Sequence, residues 1–145
     1  MTVINVQTVS NGEEHTDSCK CCGRPIYQGC GELRTEGKTL VDYWYRWSEG
    51  HEGRFALAVC PRSDNGEPSV GVVVMSGWLD SEGIHYAVLE PNDSPWPAFG
   101  AFGPILSRKQ ALEGPIAQDL FGLVDAIVAN ERRLSSRILS CGLKA

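Results

Sequence analysis

The residues of this chain with the clearest chemical potential are its cysteines. Four of the six lie within twelve positions, at Cys19, Cys21, Cys22 and Cys30. Cys19 and Cys22 have the C-x-x-C spacing of a two-thiolate metal chelate, and a Gly-Arg pair follows them as in many zinc knuckles. A tetrahedral structural zinc site needs four Cys or His ligands, so Cys30 is the predicted third ligand. The pattern is half of a zinc site with a candidate third thiolate.

The sequence leaves the fourth ligand open. His15, Cys60 and Cys141 are candidates. Cys21 is the least favourable one, because side chains adjacent to Cys22 diverge in most extended or turn conformations. The second C-x-x-C pair of a zinc ribbon does not occur in this chain. Two predictions about cofactors therefore stay open, one zinc ion or none. For Cys60 and Cys141, a role as small inert hydrophobic residues is favoured.

A reactive thiol is the alternative use of the same cluster. Basic residues at positions 20 and 24 could stabilise a thiolate on Cys21 or Cys22, and His51 and His85 lie in or beside predicted turns where either could act as a base. The adjacent cysteines are also easily modified, so redox or soft-metal sensing is a further possible function of the cluster. The chain lacks a cysteine-protease or thioredoxin signature, a phosphate-binding glycine loop, H-E-x-x-H and G-x-S-x-G. The sequence therefore favours a protein without enzymatic activity.

The elements that must position these residues are predicted from turn signals. Between residues 31 and 90, short strand patterns alternate with Gly-, Asn- and Asp-containing turns. Such short spacings suit antiparallel hairpins rather than βαβ crossovers. The polar run 7–18 is predicted to be a loop that leads into the cysteine cluster. The predicted fold is α+β, a four- to five-stranded antiparallel meander sheet with a C-terminal helix packed on one face and a cysteine-rich N-terminal segment.

A single domain is predicted over residues 1–145, a length that buries a core without crosslinks. Its four parts are a cysteine-rich segment 1–30, the sheet 31–90, a Pro/Gly/aromatic loop 91–106 and helices 107–142. Ser107 and Gln110 match a capping box that begins the first helix, and Gly114 ends it. Pro115 suits the first position of a second helix, in which apolar residues recur every three to four positions.

Strand parity predicts how the sheet is covered. Large side chains share one face of the central strands and small ones the other: Tyr43, Tyr45 and Trp47 against Ala56, Ala58 and Cys60. We expect the helix to approach the small-residue face, where its backbone can come close. Since both faces are apolar, we expect the N-terminal segment or a second subunit to cover the other one.

Aromatic side chains form the predicted partner-binding surface. Trp96, Phe99 and Phe102 lie in the loop 91–106, and Trp44 lies in the second predicted strand. Loops of this length without secondary structure are often functional. This favours a protein partner or a homodimer. The alternative interpretation is that the loop rings cap the edge of the core.

Charge and hydropathy exclude several classes of partner. The formal charge of −5 argues against general affinity for nucleic acid, whose phosphates repel an acidic protein. No apolar stretch approaches the roughly 18 residues that a membrane span needs. The N-terminus lacks the basic and apolar regions of a signal peptide, which predicts a cytoplasmic location where thiols stay reduced.

Two stretches of the chain resemble a group of small bacterial proteins that have no assigned activity. They are the C-x-C-C-G-R motif at 19–24 with the aromatic strand 43–51 downstream, and the segment 114–127 with its F-x-x-V-D-A-I sequence. Cys30 and Cys60 do not belong to that pattern. The resemblance implies a single α+β domain and no particular reaction, substrate or cofactor.

The function that the sequence favours is a small non-enzymatic binding or regulatory protein, such as an inhibitor, an immunity-type protein or an accessory partner. The acidic body, the two apolar sheet faces and the missing catalytic constellation support this prediction. A structural zinc-binding module is one alternative, and a thiol-dependent enzyme or redox sensor is another.

Overall fold

A computed structural model of the chain describes residues 7–35, 37–48, 54–62, 67, 71–114 and 120–130. It contains one antiparallel sheet whose six strands are paired in chain order. The strands are β1 Gln7–Ser18, β2 Pro25–Thr35, β3 Lys38–Ser48, β4 Phe55–Pro61, β5 Val73–Asp80 and β6 Gly83–Val88. Two short 3-10 turns, Pro91–Asp93 and Gly100–Phe102, precede the helices α1 Arg108–Glu113 and α2 Leu120–Asn130. The predicted α+β meander with a late helix is confirmed.

The first strand is the element that the sequence did not predict. Residues 7–18, expected to be a loop, form β1 and pair with β2 from Gln7 opposite Arg34 to Ser18 opposite Pro25, with two register shifts. The sheet therefore has six strands instead of four or five, and β2 also begins inside the predicted N-terminal segment. Backbone hydrogen bonds to a neighbour are sufficient to hold an edge strand, so its polar sequence gives little sign of it.

Helix α2 packs on the face of the sheet that carries the large side chains, which we call the helix face. Tyr45 and Trp47 are almost fully buried there, in one cluster with Leu123, Val124 and Ile127. Full burial of one large apolar side chain stabilises the fold by ~2–3 kcal/mol. The prediction that the helix would approach the small-residue face is wrong, because the aromatic face offers the helix more apolar area to cover.

The small-residue face is covered by the segment 91–105, and we call it the loop face. Ala58, Cys60, Val72 and Val74 form its buried centre. The predicted partner-binding aromatic residues pack onto this centre as half-buried side chains: Trp44, Trp96, Phe99 and Phe102. The ring of Trp44 lies 4.9 Å from those of both Phe99 and Phe102, measured between centroids. These rings cap this side of the core, as the alternative interpretation held.

A close backbone approach holds this covering segment in place. Gly71 has φ +138°, and a Cβ at this position would lie 2.5 Å from the carbonyl oxygen of Pro104. The contact allows the backbone N–H of Val72 to donate to that oxygen at 2.9 Å, and Val72 forms a parallel bridge with Ile105. Only glycine combines this backbone angle with such a short approach.

The predicted start of α1 is confirmed in detail. Ser107 Oγ accepts a hydrogen bond from the backbone N–H of Gln110 at 3.2 Å, and the Gln110 side chain accepts one from the N–H of Ser107 at 2.9 Å. Gly114 follows the last helical residue. The predicted helix start at Pro115 and the tail that contains Cys141 lie outside the described residues. No helix in the described part of the chain has the length and apolar character needed to cross a membrane.

Candidate thiolate metal site in the β1–β2 turn

The cysteine cluster occupies the turn that joins β1 to β2. The backbone N–H of Cys19 donates to the carbonyl of Arg24 at 2.8 Å, and the N–H of Gly23 donates to the carbonyl of Cys19 at 2.7 Å. The second bond closes one helix-like turn, and Gly23, with φ +74°, reverses the chain after it. The cysteines between these bonds therefore project from a single tight turn.

This backbone brings three sulfur atoms together. The Sγ atoms of Cys19, Cys21 and Cys22 all lie within 4.8 Å of one another, and those of Cys19 and Cys21 are 3.0 Å apart. Cys19 is half-buried, whereas Cys21 and Cys22 are exposed. With a Zn–S distance of ~2.3 Å, two sulfurs of a tetrahedral zinc site lie ~3.8 Å apart. Small side-chain rotations would place these sulfurs around one ion.

The thiols disfavour one another's ionised forms. The pKa of Cys21 is raised, first because of its hydrogen bond with Cys19, then because of desolvation and the negative charge that Cys19 and Cys22 would carry. Without a cation the Cys21 thiol is therefore harder to ionise than an ordinary cysteine. A bound metal ion reverses this preference, because its positive charge favours thiolates.

The predicted ligands are brought together only in part. Cys19 and Cys22 lie in one cluster, as the C-x-x-C spacing indicated, but the third sulfur comes from Cys21 instead of Cys30. Cys21 is the least favourable ligand by sequence, because side chains adjacent to Cys22 diverge in most extended or turn conformations. In the helix-like turn they converge, and the glycine that follows Cys22 was the sequence signal for such a turn.

Cys30 and Cys60 lie elsewhere in the sheet. Cys30 pairs with Trp44 in the middle of β2, five positions after Pro25, which is ~17 Å along a strand. Cys60 is fully buried in the loop-face cluster, where burial and then the negative charge of Asp42 raise its thiol pKa. Its behaviour is that of a small buried hydrophobic residue. The remaining candidates stay predictions: the side chain of His15 and all of His51 lie outside the described part.

His85 belongs to a second polar cluster, in the β5–β6 turn. Its Nε2 lies 2.9 Å from Oδ1 of Asp80, and its ring stacks on Trp78 with centroids 4.9 Å apart. The Trp78 Nε1–H donates to Asp80 Oδ2 at 3.3 Å, and the backbone N–H of Glu82 donates to Asp80 Oδ1 at 2.8 Å. The hydrogen bond with His85, followed by those from Glu82 and Trp78, lowers the pKa of Asp80.

The two clusters are too far apart to act together. Four strand spacings separate β2 from β6, which is ~19 Å across a sheet. This distance excludes a direct or water-bridged hydrogen bond between His85 and Cys21 or Cys22. The predicted pairing of His85 with a reactive cysteine is therefore wrong. An open groove beside His85 is lined by Arg54, Trp78 and neighbouring residues of β5 and β6, and it does not include the cysteines.

Comparison with known proteins adds no assignment. No protein-family model, no curated protein and no solved structure matches this chain. The resemblance to small bacterial proteins stays a prediction.

Proposed function

We propose that this chain is a non-enzymatic binding protein whose ligand is a thiophilic metal ion, held in the β1–β2 turn by Cys19, Cys21 and Cys22. The observation that carries the proposal is the convergence of three Sγ atoms within 4.8 Å in one accessible turn. Thiolates select zinc, cadmium and copper(I) over hard cations such as magnesium and calcium. We assign zinc as the natural occupant, because zinc takes thiolate ligands in tetrahedral protein sites.

Three sulfurs leave one position of a tetrahedral ion open. Among the Cys, His, Asp and Glu side chains of the described residues, these three cysteines are the ones that converge at this turn. A fourth ligand would then be His15, whose side chain lies outside the described residues, or water, or a group from another molecule. A regulatory or accessory role fits this arrangement, because a protein partner that supplies the fourth ligand would bind only the loaded form.

The charge around the turn supports thiolate ligation. Three thiolates and one divalent cation carry a net charge of −1. Lys20 lies between two of the cysteines and Arg24 closes the turn, and both side chains are exposed. Two adjacent cations offset the excess negative charge of the loaded cluster, as basic neighbours do for other thiolates.

The test is a metal titration of the reduced protein. Zn²⁺ and Cd²⁺ are added in competition with a chromogenic chelator, and native mass spectrometry counts the ions per chain. We expect one ion, and a loss of roughly a hundredfold in affinity for Cys22→Ser, because each thiolate contributes a large share of the binding free energy.

Cys30→Ser is the control, since Cys30 is a thiol of the same hairpin but is half-buried and lies far along β2. It should retain the affinity of the unmodified chain. Absence of metal binding would contradict the proposal. So would an equal loss of affinity in Cys30→Ser and Cys22→Ser, because that result would restore the ligand set predicted from spacing alone.

A further inference from the structure

The same turn contains a pair of sulfurs poised for a covalent reaction. Cys19 Sγ and Cys21 Sγ are 3.0 Å apart, and a disulfide bond requires ~2.05 Å. Closing that gap takes a movement of about 1 Å, within the reach of side-chain rotation. We propose that Cys19 and Cys21 are a modification site that is oxidised to an intramolecular disulfide by low-molecular-weight disulfides such as glutathione disulfide.

Backbone geometry selects this pair over the adjacent one. Disulfide-linked residues have Cα atoms roughly 4.4–6.8 Å apart. Consecutive residues such as Cys21 and Cys22 are held at about 3.8 Å by the trans peptide between them, and the described chain has no cis peptide bond. Residues two apart in a helix-like turn are separated by about 5.5 Å, which is inside the disulfide range. Cys19 and Cys21 therefore meet both the sulfur and the backbone requirement.

Exposure determines the order of the two steps. The thiolate of Cys21, which is exposed, attacks one sulfur of the small disulfide and forms a mixed disulfide, releasing one small thiol. The half-buried Cys19 then attacks Cys21 Sγ and releases the second small thiol. The protein loses two protons and two electrons, which together are two hydrogen atoms, and the small disulfide takes them up as it becomes two small thiols. Cys22 lies outside the proposed disulfide.

The disulfide and the metal compete for the same sulfurs. Two of the three proposed ligands are consumed by oxidation, and one thiolate is left. Oxidation therefore releases the ion, and a bound ion slows oxidation by occupying the nucleophile. This consequence rests on the proposed function, whereas the disulfide itself requires only the apo turn.

The experiment treats the apo protein with glutathione disulfide and follows its intact mass. We expect a loss of two hydrogens without a retained adduct. Trypsin cleaves after Lys20, so a Cys19–Cys21 disulfide joins two tryptic peptides, whereas a Cys21–Cys22 disulfide stays within one. Cys22→Ser should still lose two hydrogens, a result that a bond from Cys19 to Cys22 could not give. Cys19→Ser should stop at the glutathione adduct. Retained adducts on the unmodified chain, or a bond inside the second peptide, would overturn the proposal.

A parallel sample loaded with Zn²⁺ separates the two proposals. Slower oxidation with release of the ion supports both. If no ion binds but the apo protein forms the Cys19–Cys21 disulfide, the proposed function fails and the inference stands. If the ion binds and no disulfide forms, the inference fails and the proposed function stands.

Discussion

The β1–β2 and β5–β6 turns each gather three side chains that could ligate a metal. Cys19, Cys21 and Cys22 form the first group, and Asp80, Glu82 and His85 form the second, with the ligand atoms of each group within 4.8 Å of one another. Alternate strands of the meander run in the same direction, so both turns lie at the same end of the sheet, near opposite edges. Their chemistry differs because the β5–β6 turn combines carboxylates with an imidazole, whereas the β1–β2 turn contains three thiols.

A carboxylate and its hydrogen-bond donors can pair with one another without a bound metal ion. Both carboxylate oxygens of Asp80 have partners, from Trp78, His85 and the backbone of Glu82. Three thiols can hydrogen-bond to one another, but their ionised forms repel, as the raised pKa of Cys21 records. Protonation relieves that repulsion, and so does a bound cation or oxidation. Proximity of potential ligand atoms is therefore weak evidence for a metal site by itself. Proximity of like groups is stronger evidence for a bound ligand or a reaction.

The largest difference in stability between variants of the two hairpins is expected from glycine-to-alanine substitutions. A Cβ at Gly77, in β5, would lie 1.9 Å from the backbone oxygen of His85 and 3.0 Å from the Phe55 ring. Gly77→Ala must therefore force β5 away from β6 and lower the free energy of unfolding by about 3 kcal/mol, measured by urea denaturation.

Gly23→Ala is the matched change in the other hairpin. Its Cβ would meet nothing within 4 Å, and its cost comes only from φ +74°, about 1–2 kcal/mol. An equal or larger loss of stability for Gly23→Ala than for Gly77→Ala would show that the close approach of β5 to β6 is not a structural requirement.

Metal addition should stabilise the protein through one turn only. At a free Zn²⁺ concentration a hundred times the dissociation constant, the free energy of unfolding should rise by about 2.7 kcal/mol. Asp80→Asn should keep this increase, and Cys22→Ser should lose most of it, as read from thermal or urea unfolding with and without Zn²⁺. An increase that depends on Asp80 would move the metal site to the β5–β6 turn.

The metal affinity of the cysteine turn should increase with pH. In the apo protein the raised pKa of Cys21 extends protonation of this thiol to higher pH, whereas a thiolate bound to the ion holds no proton. Raising the pH removes protons that compete with the ion, so affinity should rise about tenfold per proton displaced per pH unit below the thiol pKa. Competition titrations between about pH 6 and pH 8, below the ordinary thiol pKa, measure this slope. A flat profile would contradict ligation by thiolates that must lose protons before they bind the ion.

The main strands and the capping box could be predicted because each has a local cause. Turn residues such as those at 80–83 mark where strands end, and Ser107 with Gln110 marks where α1 begins. Strand β1 could not be found this way, since its evidence is its pairing with β2. The covering of the two faces also required three-dimensional information, because parity separates Tyr45 from Ala58 without saying which face the helix chooses.

The sequence predicted the members of the cysteine cluster that residue spacing alone determines. It missed those that depend on the conformation of the chain. C-x-x-C spacing was sufficient to group Cys19 with Cys22. It could not place Cys21, whose direction depends on the helix-like turn, or exclude Cys30, whose distance depends on where β2 begins. His85 faces Trp78 across the β5–β6 hairpin, so its partner follows from a register that was not predicted.

The smallest effect is expected from Asp80→Asn at the β5–β6 turn. Because hydrogen bonds lower the pKa of Asp80 in the folded protein, its ionised form stabilises the fold above the unfolded carboxyl pKa of about 3.9. That contribution disappears as the pH falls through the lower folded-state pKa. Asp80→Asn should thus be slightly less stable at neutral pH, and the difference should vanish in acid.

Glu82→Gln is the control for this change, because it removes a charge from the same turn and keeps the backbone N–H that donates to Asp80. Denaturant unfolding at neutral and acidic pH, each at low and high salt, separates the two. The Asp80 group is exposed, so salt should reduce its contribution. If Glu82→Gln lowers the free energy of unfolding as much as Asp80→Asn does, the loss reflects net charge. In that case the hydrogen bonds of Asp80, which distinguish this turn from the cysteine turn, do not stabilise it.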